Sequence, residues 1–179
     1  MKIKLLYLFP LLTLSTLACN NSEKQVSETI PEVVKKTEVD YIKEGKTIAG
    51  NTFKVLSSNL QQAMADGGID NALSYCNINA MPLTDSLSKH YNVTIKRVSN
   101  KVRNSLNQAT EKERSILNNY FASIENRKPI ISKSENGNST FYAPITAKEL
   151  CLNCHGIVGK TLLPENNEKI KSLYPQDQA

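Results

Sequence analysis

Five consecutive residues in the last third of the chain, Cys151 to His155, combine two thiols with one imidazole. The thiols lie three positions apart, and His155 directly follows the second of them. Thiols at this spacing reach the two vinyl groups of one porphyrin, and the adjacent imidazole then falls under the iron. This C-x-x-C-H pattern is the attachment sequence of a c-type haem. We therefore expect thioethers from Cys151 and Cys154 to one haem c, with His155 as a ligand of its iron.

The amino-terminal segment has the layout of a secretory signal. Lys2 and Lys4 precede an apolar run from Leu5 to Leu17, which is shorter than the roughly 20 residues that a transmembrane helix needs. A small residue followed by Cys19 resembles the cleavage point of a bacterial lipoprotein. Residues 1–18 are thus expected to be a lipoprotein signal peptide, with Cys19 as the lipidated residue that holds the protein to a membrane of the bacterial cell envelope, facing the periplasm or the cell exterior. An ordinary secreted protein cut nearby is the alternative.

The cysteine count leaves Cys76 without a role. The chain has four cysteines; a lipid accounts for Cys19, and the haem thioethers account for two more. An odd thiol is unusual in an oxidising compartment. Cys76 is either a small buried hydrophobic residue or an axial ligand to the haem iron.

The length of the chain predicts one folded domain, and the net charge of that domain is small. Without its first 18 residues the chain has 161 residues, and 20 basic against 17 acidic residues give a net charge of +3. This charge is too small to indicate nucleic acid as a partner. Residues 19–39 contain no aromatic side chain and are rich in Ser, Glu, Lys and Thr. They are expected to be a flexible tether before a haem-binding domain at residues 40–179.

Hydrophobic periodicity predicts long helices in the first half of this domain. Apolar residues follow helical spacing over residues 41–64, and the glycine pair at 67–68 ends that run. Asp70 is a candidate N-cap of a second helix, whose apolar stripe turns Cys76 inward. Pro82 is expected to break this helix.

The second half of the domain predicts short strands and short helices. Residues 93–98 alternate like a half-buried strand, and Thr110 opens a capping box for the next helix. An Asn-Gly pair indicates a hairpin between strands at 129–132 and 140–145. Further helices are expected from Thr146 through His155 and over residues 164–173. The pattern is α+β.

Several segments carry a family resemblance: residues 71–76, 95–99 with 103–104, 141–145, 151–156 and 174–177. Together they resemble a family of single-haem exported proteins and sensor domains, long catalogued as a domain of unknown function. The resemblance spans residues 40–179 and implies a PAS-like antiparallel sheet, long N-terminal helices and a C-terminal haem-attachment helix. It also implies that His155 and Cys76 ligate the iron from opposite sides. Family members often have a proline where this chain has Ser105.

Three further side chains are candidates to contact the haem. Arg97 and Arg103 suit the propionates because guanidinium groups pair well with carboxylates, although each is equally a solvated surface charge. Tyr142 is a candidate to pack on the porphyrin edge, or else belongs to the hairpin core. If Cys76 were only a core residue, the second ligand would be Met64, Met81 or His90.

The function that these residues predict is redox sensing or electron transfer at the cell envelope, with an unidentified redox or receptor protein as partner. The alternative is a sensor of a gas or small ligand that displaces the cysteine from the iron. The sequence contains no G-x-S-x-G, Walker or H-E-x-x-H motif, so we do not expect an enzyme. A zinc site would need a second Cys or His pair at finger-like spacing, which the sequence also lacks.

Overall fold

Four α-helices and one two-stranded antiparallel sheet make up residues 36–178, the part of the chain that this computed structural model describes. The elements are α1 (Glu38–Tyr91), a short 3-10 helix (Ser105–Asn107), α2 (Glu111–Ala122), β1 (Ile130–Lys133), β2 (Ser139–Tyr142), α3 (Glu149–His155) and α4 (Pro164–Leu173). The predicted α+β class is confirmed. The predicted signal peptide, Cys19 and most of the predicted tether lie outside the described residues. Within the described part, no helix has the length and apolar character needed to cross a membrane.

The long element α1 is a helical hairpin that reverses at a pair of glycines. Gly68 has φ 66° and ψ −160°, a conformation that side-chain-bearing residues rarely adopt. The limbs 38–66 and 69–91 lie side by side, since Tyr75 Oη donates to Asn59 Oδ1 at 2.9 Å and Asn51 Nδ2 donates to Tyr91 Oη at 2.9 Å. The helix end predicted at the glycine pair is therefore confirmed.

The break predicted at Pro82 is wrong, because the second limb of α1 continues through this residue to Tyr91. Pro82 has no N–H to give to the carbonyl of Ile78, one turn earlier. Ile78 is 69% exposed, so water can reach this part of the helix. The Ile78 carbonyl, which Pro82 leaves without a helical partner, can therefore bond to water while the helix continues.

The strand predicted over residues 93–98 is also wrong. Residues 94–98 have no regular secondary structure and no ladder partner, and the nearest pairing is one isolated bridge from Ser99 to Gln108. The segment bonds instead to the end of α1: the Val93 N–H donates to the Ser88 carbonyl at 3.0 Å, and the Ile95 N–H donates to Ser88 Oγ at 3.1 Å. The alternating polarity therefore marks a partly buried segment and not a sheet strand.

The predicted hairpin forms and packs on the first limb of α1. Ile130 pairs with Tyr142 and Lys133 pairs with Ser139, with Gly137 at φ 82° in the loop between the strands. The ring of Phe141 lies so close to Gly45 that a Cβ at that position would overlap the ring. This contact fixes the sheet against α1.

A small apolar core joins α1 to the end of the chain. Its buried members are Leu73, Leu162 and Ile170, which come from α1, the α3–α4 connection and α4. Cys154 and Tyr174 pack against this core. The second cysteine of the C-x-x-C-H motif therefore lies at the border of this buried core.

Candidate functional site

The helix that carries Cys151 to His155 is the shortest of the four. The predicted helix from Thr146 is present but begins later, at Glu149, with Lys148 at the N-cap and no side-chain cap. At the other end, Gly156 lies against Thr161 and the Leu152 carbonyl, where a Cβ would overlap both. The Ile157 N–H donates to Thr161 Oγ1 at 2.9 Å. The chain can therefore leave α3 in a tight turn only because residue 156 is glycine.

Arg103 bonds to the last turn of α3 from a distant part of the chain. Its Nη2 donates to the Cys154 carbonyl at 2.7 Å, and its Nε donates to Asp177 Oδ1 at 3.1 Å. The guanidinium carbon also lies 5.7 Å from the centroid of the Tyr174 ring. Only 14% of the Arg103 side chain and 2% of the Asp177 side chain are exposed. Arg103 thus links the motif helix to the segment that follows α4.

Cys76 lies on the second limb of α1, half-buried and facing charged groups. Burial raises the pKa of its thiol, and the positive charges of Arg97 and Arg103 oppose that rise. Burial likewise lowers the pKa of Arg97, against the influence of Cys76 and Tyr174. Seven side chains influence one another's charge in this way and form one group, which we call the Cys76–His155 cluster. Its members are Cys76, Arg97, Arg103, Cys154, His155, Tyr174 and Asp177.

A gap separates the two backbones that supply this cluster. Among the described elements, α4 packs on both α1 and α3, whereas no Cα atom of α3 comes within 8 Å of a Cα atom of α1. Even so, Cys154 packs against the core cluster that includes Leu73, which is three residues before Cys76 on α1. The thiol of Cys76 and the motif of α3 thus approach each other only through their side chains.

His155 lies at the surface end of the cluster. Its residue is exposed overall, yet the atoms packed around its imidazole lower its pKa by desolvation, and the charge of Arg103 lowers it further while Asp177 opposes. The neutral imidazole is therefore favoured near neutral pH. This is the form that can bind a metal through a ring nitrogen.

The structure brings together most of the side chains that the sequence singles out. Cys76, Arg97, Arg103, Cys154 and His155 belong to the cluster, and Cys151 is three residues before Cys154 on α3. Cys76, Cys151 and Cys154 are free thiols.

Tyr142 and His90 make their contacts elsewhere in the fold. The Tyr142 carbonyl accepts from Tyr120 Oη at 3.3 Å within the hairpin region. His90 lies edge-on to Tyr91, 4.7 Å between ring centroids, beside an open groove of about 620 Å³ between the limbs of α1. Met64 and Met81, which the sequence also offers as second ligands, are half-buried on α1.

Two members of the cluster, Tyr174 and Asp177, are absent from the sequence-based set of site residues. Both fall in the segment 174–177, which carries part of the family resemblance without indicating a role. Asp177 is 74 residues from its partner Arg103, so no local pattern links the two.

Within residues 36–178, no group of three or more His, Cys, Asp or Glu side chains is arranged to hold a metal ion.

A family model described as Tll0287-like: Tll0287 matches residues 18–179, which include the whole of the described fold. The chain therefore belongs to the Tll0287-like family. Neither the curated proteins nor the solved structures contained a significant match.

Proposed function

We propose that this Tll0287-like protein carries one covalently attached haem c and works in redox sensing or electron transfer at the cell envelope. Cys151 and Cys154 would attach the haem, and His155 and Cys76 would ligate its iron. The observation that carries the proposal is the meeting of Cys76, the cysteine left over by counting, with the motif helix α3 in one cluster.

The donor set of the cluster fits such a group. The i, i+3 thiols of α3 share one helix with His155, while Cys76 comes from a helix with no Cα atom within 8 Å of a Cα atom of α3. A haem held by His155 and Cys76 would need room between the two helices, and this separation provides it. The Cys76 thiol is a soft donor and the His155 imidazole is a borderline one. Such a pair, without a pair of carboxylates, is typical of a haem iron and not of a hard cation.

Arg97 is the better candidate of the two arginines to pair with a propionate. Its guanidinium is half-buried next to Cys76, and burial lowers its pKa. A carboxylate placed there would compensate the cost of burying the cation. Arg103 already donates to Cys154 and Asp177. We therefore propose that Arg97 contacts the haem and that Arg103 acts on the protein side.

The proposed ligands set the chemistry that the haem supplies. A thiolate stabilises ferric iron, so a His/Cys pair favours a lower reduction potential than a His/Met pair. Low potential suits a redox sensor or a low-potential carrier, and we propose no enzymatic role. The basic, apolar leader with Cys19 supports a lipid anchor on the envelope, facing the periplasm or the cell exterior, and the partner would be a redox or receptor protein.

The test is the electron paramagnetic resonance and ultraviolet-visible spectrum of the haem-matured protein beside its Cys76→Ala variant. We expect a low-spin ferric thiolate signal in the parent and its loss in the variant, with covalent haem retained in both. Met81→Leu on the same limb is the matched control and should leave the signal unchanged. An identical low-spin spectrum in Cys76→Ala would refute Cys76 as ligand and return Met64, Met81 and His90 as candidates.

A second candidate function is a sensor in which a gas or small ligand replaces Cys76 on the iron. The partial exposure of Cys76 and His155 favours access of a small molecule to this cluster. Carbon monoxide added to the reduced protein distinguishes the two functions. A sensor should bind it with loss of the cysteine ligand, whereas a plain carrier should keep its spectrum.

A further inference from the structure

We infer that Asp177 is a positioning residue for the motif helix, acting through Arg103 to hold Cys154 and His155 in place opposite Cys76. The inference rests on the proposed function for its meaning, since it concerns how the proposed attachment and ligand residues are oriented. It rests for its evidence on contacts within the protein alone.

The Arg103 guanidinium forms a bridge between Cys154 and Asp177. Its Nη2 donates to the Cys154 carbonyl at 2.7 Å, and its Nε donates to Asp177 Oδ1 at 3.1 Å. The Cys154 carbonyl belongs to the last turn of α3, where carbonyl groups lack partners within the helix. A cation at this end of the helix also interacts favourably with the negative end of the helix dipole. The planar fork of arginine can make both contacts at once, which a single ammonium group does poorly.

The backbone of Asp177 is itself held by hydrogen bonds at both its N–H and its carbonyl. Its N–H donates to the Tyr174 carbonyl at 2.9 Å, and the Lys171 ammonium donates to its carbonyl. The next N–H, from Gln178, donates to the Val102 carbonyl at 2.9 Å, directly before Arg103 in the chain. The carboxylate and the guanidinium are thus fixed relative to each other by backbone as well as by charge.

The motif helix needs this external support. It has seven residues and no side-chain cap at its start, and helices of this length are not stable alone in water. Loss of the Asp177 charge would leave the Arg103 cation buried without its carboxylate, a costly state that favours rotation of the side chain toward solvent. Rotation would release the Cys154 carbonyl and loosen the turn that ends in His155.

The test combines hydrogen exchange with spectroscopy on the haem-matured full chain and its Asp177→Asn variant. We expect amide exchange in residues 149–155 to accelerate by about tenfold or more, with exchange in α2 unchanged. We also expect a broadened low-spin signal and faster replacement of the axial cysteine by added imidazole. Arg103→Lys, which keeps the charge but not the fork, should give the same changes to a smaller extent.

Glu111→Gln is the matched control, because it removes a carboxylate from the exposed Glu111–Arg114 pair and should alter neither exchange in residues 149–155 nor the spectra. If Asp177→Asn does not fold, Arg103→Lys carries the test. Parent-like exchange and parent-like spectra in Asp177→Asn, or in Arg103→Lys where that variant stands in, would overturn the inference. Absence of covalent haem from the parent would refute the proposed function instead, and exchange in residues 149–155 would still decide whether the bridge holds α3.

Discussion

The helices α2 and α3 are stabilised in opposite ways. α2 has twelve residues and a complete capping box, in which the Glu113 N–H donates to Thr110 Oγ1 at 3.3 Å and the Thr110 N–H donates to Glu113 Oε2 at 2.7 Å. α3 has seven residues and no side-chain cap. Its last turn is held by Arg103, whose position is 51 residues before the Cys154 carbonyl that it bonds.

This difference teaches where the proposed site obtains its rigidity. A helix with its own cap can form from neighbouring residues, whereas α3 takes its position from the core, from the turn at Gly156 and from Arg103. Of these two helices, the one that contains the C-x-x-C-H motif is therefore the more dependent on the rest of the fold. Substitutions in that support should affect α3 more strongly than substitutions in α2 affect the site.

The largest expected effect comes from the core that supports α3. Ile170 on α4 is fully buried in a cluster with Leu73 of α1 and Leu162, so Ile170→Ala should lower the free energy of unfolding by about 3 kcal/mol. Urea denaturation measures this value. Ile157→Ala is the matched control, because Ile157 is 63% exposed and its truncation should cost less than about 0.5 kcal/mol. Equal costs for the two variants would show that this core does not support the fold.

The turn after α3 should give the next effect. Gly156→Ala places a methyl group against Thr161 and the Leu152 carbonyl, and such overpacking should destabilise the protein by about 2 kcal/mol. Thermal unfolding with hydrogen exchange of residues 149–155 measures both the size and the place of the change. Gly50→Ala, where the structure leaves open space on α1, should be neutral or stabilising. A neutral Gly156→Ala would contradict the tight turn.

The smallest expected effect lies in the self-capped helix. Thr110→Ala removes the side-chain acceptor for the Glu113 N–H and should lower stability by about 1 kcal/mol. We expect exchange to rise in the first turn of α2 while the spectrum of the haem-matured protein stays the same. Thr110→Ser keeps the hydroxyl and should behave like the parent. A spectral change in Thr110→Ala would mean that α2 and the site are coupled after all.

Local signals in the sequence predicted the elements that local physics determines. The structure contains the predicted capping box at Thr110, the helix end at residues 67–68 and the helix Pro164–Leu173. It also contains the Asn-Gly hairpin, although the second strand ends at Tyr142 and not at residue 145. Each depends on residues within a few positions of one another. The predictions at Pro82 and at residues 93–98 failed for two different reasons. The carbonyl of Ile78, which Pro82 leaves without a helical partner, is open to water, and no strand pairs with residues 93–98.

The features of the candidate site also separate into those that depend on neighbouring residues and those that depend on distant contacts. The spacing of Cys151, Cys154 and His155 is local, and the inward turn of Cys76 follows from helical periodicity. The roles of Arg103 and Asp177 depend on contacts across 74 residues. No single-sequence pattern distinguishes such a buried ion pair from two solvated surface charges.

The separation between the backbones of α1 and α3 has a consequence for the thiols themselves. Cystine formation requires Cα atoms within about 7 Å of each other, and no Cα atom of α3 comes within 8 Å of one in α1. In this fold an oxidant therefore cannot cross-link Cys76 to Cys151 or Cys154 unless the backbone first moves.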